Sequence, residues 1–211
     1  WDTIKRQYRH LRKTYESSLN MDVRKKARKM FSKDQWKALG ALFKWGPKAQ
    51  DRYATKIFAP HSEKQMIEFL RLFKTYGYPG ERLIGNNFWM STLLSHHNSI
   101  SLSYNERDTL YPSLRPKLWK AVIKGEMSAF EFALVDEWYR AVTNNGHEPT
   151  YGILEAPLAK DLTKTNLLRE SVYLRSIEVH NKLVAIEEKT GMRLYLDGHP
   201  WGEDSIEIKS H

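Results

Sequence analysis

Residues 76–97 read Tyr-Gly-Tyr-Pro-Gly-Glu-Arg-Leu-Ile-Gly-Asn-Asn-Phe-Trp-Met-Ser-Thr-Leu-Leu-Ser-His-His, and this stretch decides how the rest of the chain packs. Its three glycines and one proline interrupt a helical pattern, because glycine readily adopts positive φ and proline cannot continue a helix. We predict that Gly77 ends one helix in the left-handed conformation and that residues 78–80 form a turn. A second helix then ends on His96 and His97. The stretch therefore predicts a fixed corner between two packed helices.

Apolar residues recur at helical spacing on both sides of this corner. Ser62 and Gln65 form a capping box for the helix that Gly77 ends, and Ser128 and Glu131 form another for a later helix. The predicted helices from this part of the chain are residues 62–76, a helix that Asn86 or Asn87 caps, residues 113–124, residues 128–143 and residues 165–190.

The last residues carry a different pattern. Residues 193–196 and 205–208 alternate apolar and polar side chains around a turn rich in glycine and proline, which is typical of a hairpin. An isolated hairpin is marginally stable, so we expect it to pack on the helices. The sequence thus predicts a mainly α fold, a multi-helix orthogonal bundle with a small C-terminal β-hairpin.

Composition narrows the class of protein. The chain has 211 residues, of which 41% are hydrophobic and 12% aromatic, so it has enough apolar surface to fold. It has no cysteine, which excludes disulfides and thiolate chemistry and is compatible with a periplasmic or envelope location as well as a cytoplasmic one. We expect no transmembrane segment, because no apolar run is long enough, and the first residues do not resemble a secretory leader.

Positive charge is concentrated in the first third of the chain. Residues 1–60 hold sixteen Lys or Arg against five Asp or Glu, and the remaining residues hold eighteen against twenty. The sequence predicts a basic helical arm, residues 1–60, and a helical core domain, residues 61–211. The arm begins with a basic amphipathic helix to about Ser17, and Asp22 and the Ser32–Gln35 box predict the starts of two further helices.

The arm contains a cluster of cations that could bind a polyanion. Clustered Lys and Arg gain affinity for nucleic acid or an anionic surface by displacing counterions, although the same pattern also fits a solvated helix face. No zinc-finger, RNP or helix-turn-helix signature accompanies the cluster. The candidate anion-binding residues are Arg24, Lys25, Lys26, Arg28 and Lys29.

From residue 74 onward the order of short motifs resembles a bacterial family of helical proteins of unknown function. That family carries a Gly-Trp-Pro-Gly turn, a Val-Gly, a Gln-His, a leucine-rich helix ending in Gly-Glu, an Asp-Arg and a Tyr-Gly-Thr-Gln, and an early Asp-Gln. The similar positions here are residues 77–80, residues 84–85, His96-His97, residues 114–126, Asp136-Glu137, Tyr151-Gly152 and Asp34-Gln35. The chain departs from the family at Glu137, at residues 153–154 and at Asn98, so if those polar residues form a site in the family, part of it is missing here. The resemblance implies a helical fold, and the family has no established activity to carry over.

The adjacent imidazoles are the strongest candidates for chemistry. His96 or His97 could act as a general base that Asp136 orients, because histidine titrates near neutrality. The alternative is one buried imidazole bonded to the backbone beside one that faces water. A metal site would need one histidine with Asp136, His147 or Glu148, and no metal-binding spacing occurs. We therefore expect no metal and no cofactor.

Aromatic and polar residues near the corner could line a ligand pocket. Trp89, Glu148 and Tyr151 are the candidate ligand-binding residues, although aromatics at these spacings also build cores. Taken together, the sequence favours a soluble helical binding or interaction module with a protein partner or self-association. The alternatives are a hydrolase-like enzyme with a histidine base and a non-specific binder of polyanions through residues 1–60.

Overall fold

The computed structural model describes residues 2–43, 45–143, 149–197 and 204–210. The helices of this part of the chain are α1 (Asp2–Ser18), α2 (Met21–Leu42), α3 (Pro47–Tyr53), α4 (Ala59–Tyr76), α5 (Glu81–Ile84), α6 (Trp89–Asn98), α7 (Leu102–Asn105), α8 (Leu110–Ile123), α9 (Ala129–Thr143), α10 (Leu162–Ser171) and α11 (Ile177–Thr190). A π-helical segment, Ala54–Phe58, joins α3 to α4, and a 3-10 turn, Ala159–Asp161, precedes α10. None of the described helices has the length and apolar character that crossing a bilayer requires.

The main core is built around α6, which packs against α2, α4 and α9. Its most completely buried apolar side chains come from α4, α6, α8 and α9 and include Met66, Phe69, Leu93, Leu94, Leu114, Leu118, Phe132 and Val135. Each such side chain contributes about 1.5–3 kcal/mol through removal of apolar surface from water. The predicted mainly helical fold is confirmed.

The corner that the sequence predicts is present between α4 and α6. Gly77 follows α4 with a φ of +85°, and its N–H donates to the Phe73 carbonyl at 3.0 Å. The Asn86 side chain accepts from the backbone N–H of Trp89 at 2.8 Å and so caps the start of α6. The helix end at Gly77 and the role of Asn86 at the start of α6 are confirmed, whereas the ψ of −173° at Gly77 lies outside the left-handed helical conformation that we predicted. Ser62 lies inside α4 and caps nothing there.

The basic arm contributes one helix to the core. Val23, Ala27 and Met30 of α2 are buried in the main cluster, and α2 continues through Ser32 without a break, so the predicted second start at that residue is wrong. The cap of α2 is Asn20, whose side chain accepts from the Val23 N–H, rather than Asp22. The division into residues 1–60 and 61–211 stays a prediction.

The predicted C-terminal β-hairpin is wrong. Among the described residues, this region forms one isolated bridge, a parallel one between Leu158 and Lys209, and no sheet. Asn181 of α11 bonds both the N–H and the carbonyl of Ile206, each at 2.8 Å, so a helix side chain takes the place of a partner strand. Residues 198–203, the turn of the predicted hairpin, lie outside the described residues.

The long helix predicted over residues 165–190 is two helices. Tyr173 lies between α10 and α11 with a φ of +63°, and Ser176 caps α11 by accepting from the Val179 N–H. Arg169 stabilises the break, because its guanidinium donates to the carbonyls of Arg175 and Tyr151, each at 2.7 Å. The apolar residues keep near-helical spacing across this break, so the sequence pattern did not indicate that the helix is interrupted.

A buried carboxylate ties α8, α9 and the segment after α9 together. Asp136 of α9 accepts from the Tyr111 hydroxyl at 2.9 Å and the Tyr151 hydroxyl at 2.9 Å. It also accepts from Arg115 at 2.6 and 3.0 Å and from Arg140 at 3.0 Å. Burial raises the pKa of Asp136, but the hydrogen bonds and charges of the two arginines outweigh it and hold that pKa below its usual value. The carboxylate is therefore an anion inside the fold.

We expect Asp136→Asn to lower the free energy of unfolding by about 3 kcal/mol, because it removes the negative charge that two partly buried guanidinium groups face. Urea unfolding followed by circular dichroism measures the change. The matched control is Asp161→Asn at an exposed pair with Lys164, 3.8 Å apart, which should change the free energy of unfolding by less than about 0.5 kcal/mol. Equal effects of the two substitutions would contradict a structural role for Asp136.

Candidate functional site

The two adjacent histidines of α6 lie in different surroundings. Successive side chains on a helix point about 100° apart, so one position can face the core while the next faces outward. The His97 side chain is fully buried, whereas 27% of the His96 side chain is exposed. The pair therefore divides into an interior group and an accessible group.

His97 is a buried brace between three helices. Its Nδ1 lies 2.9 Å from the Ser62 hydroxyl of α4, and its Nε2 lies 3.3 Å from Asp108 Oδ2, just before α8. A neutral imidazole satisfies both contacts, because the Ser62 hydroxyl donates to Nδ1 while Nε2–H donates to Asp108. These three residues hold α4, α6 and α8 together, and their burial keeps His97 from a ligand.

Asp108 has a second structural role in this brace. Its carboxylate accepts from the backbone N–H groups of Leu110 and Tyr111, at 2.8 and 3.0 Å, and so caps α8. Burial raises the pKa of Asp108, but the hydrogen bonds from His97 and these two N–H groups outweigh it and lower that pKa. The ionised Asp108 carboxylate thus caps α8 and also accepts a hydrogen bond from the buried imidazole of His97.

His96 pairs with a carboxylate that comes from α2. Its Nδ1 lies 2.5 Å from Asp34 Oδ2, and the Asp34 side chain is fully buried. When Nδ1–H donates to this carboxylate, Nε2 carries the lone pair and is the nitrogen that a ligand can reach. A buried carboxylate that orients an imidazole is the arrangement used for general bases. The partner of His96 is therefore Asp34, whereas we expected Asp136.

Two cavities border His96. One, of about 500 Å³, lies between α2, α3 and the segment that leads into α4, with Ala38, Tyr53 and Phe58 among its lining residues. The other, of about 480 Å³, lies between α6 and α9, and we call it the α6–α9 cavity. Both volumes are in the range of small-molecule sites. His96 stands at the boundary of the two.

Apolar side chains form most of the wall of the α6–α9 cavity, and a few polar groups converge on it. The apolar part comes from Phe88, Phe130, Leu134 and Trp138. The polar part includes His96, the serines of α6 and the carboxyl group of Glu131. The Ser95 hydroxyl is buried and has no hydrogen-bond partner among the described residues. The cavity thus combines a largely apolar wall with a few polar groups.

Glu131 is one of these polar groups and also helps to start α9. It accepts from the Ser128 N–H at 3.0 Å, and the Ser128 hydroxyl accepts from the Glu131 N–H at 3.1 Å, so the predicted capping box is confirmed. Its carboxyl group also accepts from the Tyr78 hydroxyl at 3.1 Å. Burial raises the pKa of Glu131 to about 7, and the hydrogen bonds oppose this only in part. The group can therefore hold a proton near neutral pH.

The other ligand residues expected from the sequence lie elsewhere. Tyr151 is fully buried against Asp136, and Trp89 packs on α2, with its ring stacked on Phe31 and the Arg24 guanidinium 5.3 Å from its centre. Neither residue is among those that line the two cavities at His96. Glu148 and His147, the remaining candidates, lie outside the described residues.

One of the candidate anion-binding residues has a structural role, and the other four are exposed. Arg24 donates to the carbonyls of Ile84 and Gly85 and so fastens α2 to the corner. The other four, Lys25, Lys26, Arg28 and Lys29, are exposed on the outer side of α2. In the described parts of the chain, no group of three or more His, Asp or Glu residues is arranged to hold a metal ion.

Asp34, Ser95 and Glu131 are the site residues that the sequence analysis did not select. Asp34 stands in the Asp-Gln dipeptide of the family resemblance, and it continues the buried stripe of Val23, Ala27 and Met30 at helical spacing. A charged residue on such a stripe needs a buried partner, and this was the available signal.

Comparison with known proteins adds no further assignment: no family model, no curated protein and no solved structure matches the chain.

The raised pKa of Glu131 predicts a specific dependence of stability on pH. The folded state keeps the Glu131 proton up to about pH 7, whereas the unfolded state releases it near the ordinary pKa of a glutamate, 4.5. The protonated group therefore stabilises the fold at low pH, and this contribution is lost as pH rises through 7. We expect wild type to lose about 2–3 kcal/mol relative to Glu131→Gln between about pH 5 and pH 8.

Urea unfolding of both proteins across this pH range tests the prediction. Glu137, whose pKa burial also raises to about 7, is present in both proteins and cancels in the difference. Glu155→Gln, at an exposed glutamate, is the control and should leave the pH dependence of wild type unchanged. If the free energies of unfolding of wild type and Glu131→Gln differ by the same amount at every pH in this range, Glu131 is ionised throughout and the prediction is wrong.

Proposed function

We propose that this protein is a binding module for a small molecule and that the α6–α9 cavity is its site. The observation that carries the proposal is that His96, Ser95 and Glu131 all line one cavity whose remaining wall is largely apolar. A well-formed apolar pocket with a few oriented polar groups is the usual form of a ligand site.

The lining residues indicate the chemistry of the ligand. An apolar or aromatic body fits against Phe130, Leu134 and Trp138, and aromatic side chains there favour a flat ring. Among the polar groups, the Ser95 hydroxyl has no partner in the described parts of the chain, and His96 Nε2 is available to accept a hydrogen bond when Nδ1–H donates to Asp34. A hydroxyl, amide or protonated acid on the ligand would satisfy these groups.

A binding experiment with a flat, neutral dye tests this proposal. We expect saturable fluorescence enhancement of N-phenyl-1-naphthylamine, whose N–H can donate to His96 Nε2, by wild type and loss of the saturable part in Leu134→Trp, because the larger ring projects into the cavity. Ile123→Trp, which adds the same ring at an exposed position of α8, is the matched control and should bind as wild type does. Equal dye binding by Leu134→Trp and wild type would exclude the α6–α9 cavity as the dye site.

A second candidate function is hydrolysis with His96 as general base, and the 2.5 Å contact with the buried Asp34 favours it. In this reaction His96 Nε2 takes a proton from water while the water oxygen bonds to an ester carbonyl carbon. The bond from that carbon to the leaving oxygen breaks, and the His96 imidazolium gives the leaving oxygen the proton that it took from water. Asp34 holds the imidazole and stabilises its charged form.

The hydrolysis of p-nitrophenyl butyrate separates this candidate from binding alone. We expect His96→Asn to lower kcat/KM by at least about 100-fold, the usual contribution of a general base. His10→Asn, at an exposed histidine of α1, is the control and should hydrolyse the ester as wild type does. If the three proteins hydrolyse the ester equally, His96 is not a catalytic base. The dye experiment then tests the binding proposal by itself.

A further inference from the structure

The first helix of the chain has an apolar face that the fold does not use. α1 contains no buried residue, and Ile4, Tyr8 and Leu11 are 59%, 62% and 66% exposed. Its contact with the rest of the protein is at its C-terminal end, where the Tyr15 hydroxyl donates to the Glu81 carboxylate at 2.5 Å. The remaining turns of the helix therefore present their apolar stripe to solvent.

The same helix carries a positively charged face. Its cations are Lys5, Arg6, Arg9, Arg12 and Lys13, and its acidic residues are Asp2 and Glu16. Five positive groups against two negative ones leave a charge of +3 on α1. These basic side chains lie on the face away from the stripe of Ile4, Tyr8 and Leu11, so α1 has an apolar face and a basic face.

We propose that α1 binds the surface of an anionic lipid bilayer, with its apolar stripe in the boundary between headgroups and acyl chains. Interfacial helices combine an apolar face with a polar face rich in Lys and Arg, and both faces contribute to binding. Anionic headgroups match the +3 charge of α1, and the acyl boundary removes Ile4, Tyr8 and Leu11 from water. A bilayer surface therefore satisfies both faces of the helix at once.

Two other occupants fit less well. A nucleic acid would neutralise the cations through its phosphates but would leave the aliphatic stripe in water. The 4-3-4 spacing of Ile4, Tyr8, Leu11 and Tyr15 also matches the seam of two paired helices. Pairing with a second copy, however, brings two helices of charge +3 side by side, and nothing on α1 offsets that repulsion.

The exposed aromatic residues of the same basic region agree with this proposal. Trp36 of α2 and Phe43, which follows α2 directly, are each 77% exposed, and Trp45 is 95% exposed. Tryptophan is favoured at membrane surfaces, where its ring is partly apolar and its N–H remains hydrated. These side chains add exposed apolar area to the basic segment, residues 1–60.

Co-sedimentation of the full chain with vesicles tests the proposal. We expect wild type to pellet with vesicles of phosphatidylcholine and phosphatidylglycerol in equal amounts, and to stay in solution with phosphatidylcholine alone. Tyr8→Ser with Leu11→Ser keeps every charge, and we expect it to weaken binding to the anionic vesicles by more than about tenfold. Gln7→Ser with Thr14→Ser, on the polar side of α1, is the matched control and should bind as wild type does.

The double variant should fold normally, because α1 contributes no buried residue, and its thermal unfolding midpoint checks this. Equal binding of neutral and anionic vesicles by wild type would overturn the proposal, and so would unchanged vesicle binding by Tyr8→Ser with Leu11→Ser. A wild-type dimer in light scattering that this variant loses, without vesicle binding, would assign the stripe to a second copy. Retention on heparin without vesicle binding would assign the cations to a polyanion in water. The proposal does not depend on the ligand of the α6–α9 cavity.

Discussion

The ionised carboxylate of Asp136 is the constraint on which the remaining packing depends. A buried charge is costly unless hydrogen bonds and opposite charges surround it, and Asp136 receives donors from α8, from α9 itself and from Tyr151. These donors fix α9 relative to α8 and to the chain that follows. α9 is in turn the main packing partner of α6, and Asn98 of α6 donates to the Val135 carbonyl at 2.8 Å. The position of both histidines follows from this contact.

Within α6, the same pairing of imidazole and carboxylate has two outcomes. His97 meets Asp108, which also caps α8, and both groups are sealed in the core, so their contact joins helices and leaves no nitrogen for a ligand. His96 meets Asp34, which is equally buried, but the imidazole itself reaches two cavities. The two pairs make the same kind of hydrogen bond between an imidazole and a carboxylate. The accessibility of the imidazole is therefore what distinguishes the candidate functional pair from the structural pair.

Local signals predicted the parts of the fold that local interactions determine. Gly77, Asn86 and the Ser128–Glu131 box mark helix ends through contacts within a few residues, and the structure confirms all three. The Ser62–Gln65 box was wrong because Ser62 bonds His97, 35 residues away, and the hairpin was wrong because Asn181 bonds Ile206. Spacing within a segment carries no information about such distant partners. For the same reason the sequence indicated His96 but assigned it Asp136 in place of Asp34.

The same helical spacing of residues along one face occurs in α1 and α2, but the surrounding structure gives the two faces different roles. In α2, Val23, Ala27, Met30 and Asp34 recur at intervals of four, three and four, and all of them are buried because the corner and α6 lie against that face. This contact fixes the rotation of α2, so Asp34 points to His96 and the cations of residues 25–29 point outward. In α1 the same intervals occur at Ile4, Tyr8, Leu11 and Tyr15, but only Tyr15 contacts the described fold, and the other three side chains stay exposed. A stripe that the fold leaves uncovered beside a basic face is available to a partner outside the chain, whereas the stripe of α2 is used to build the site.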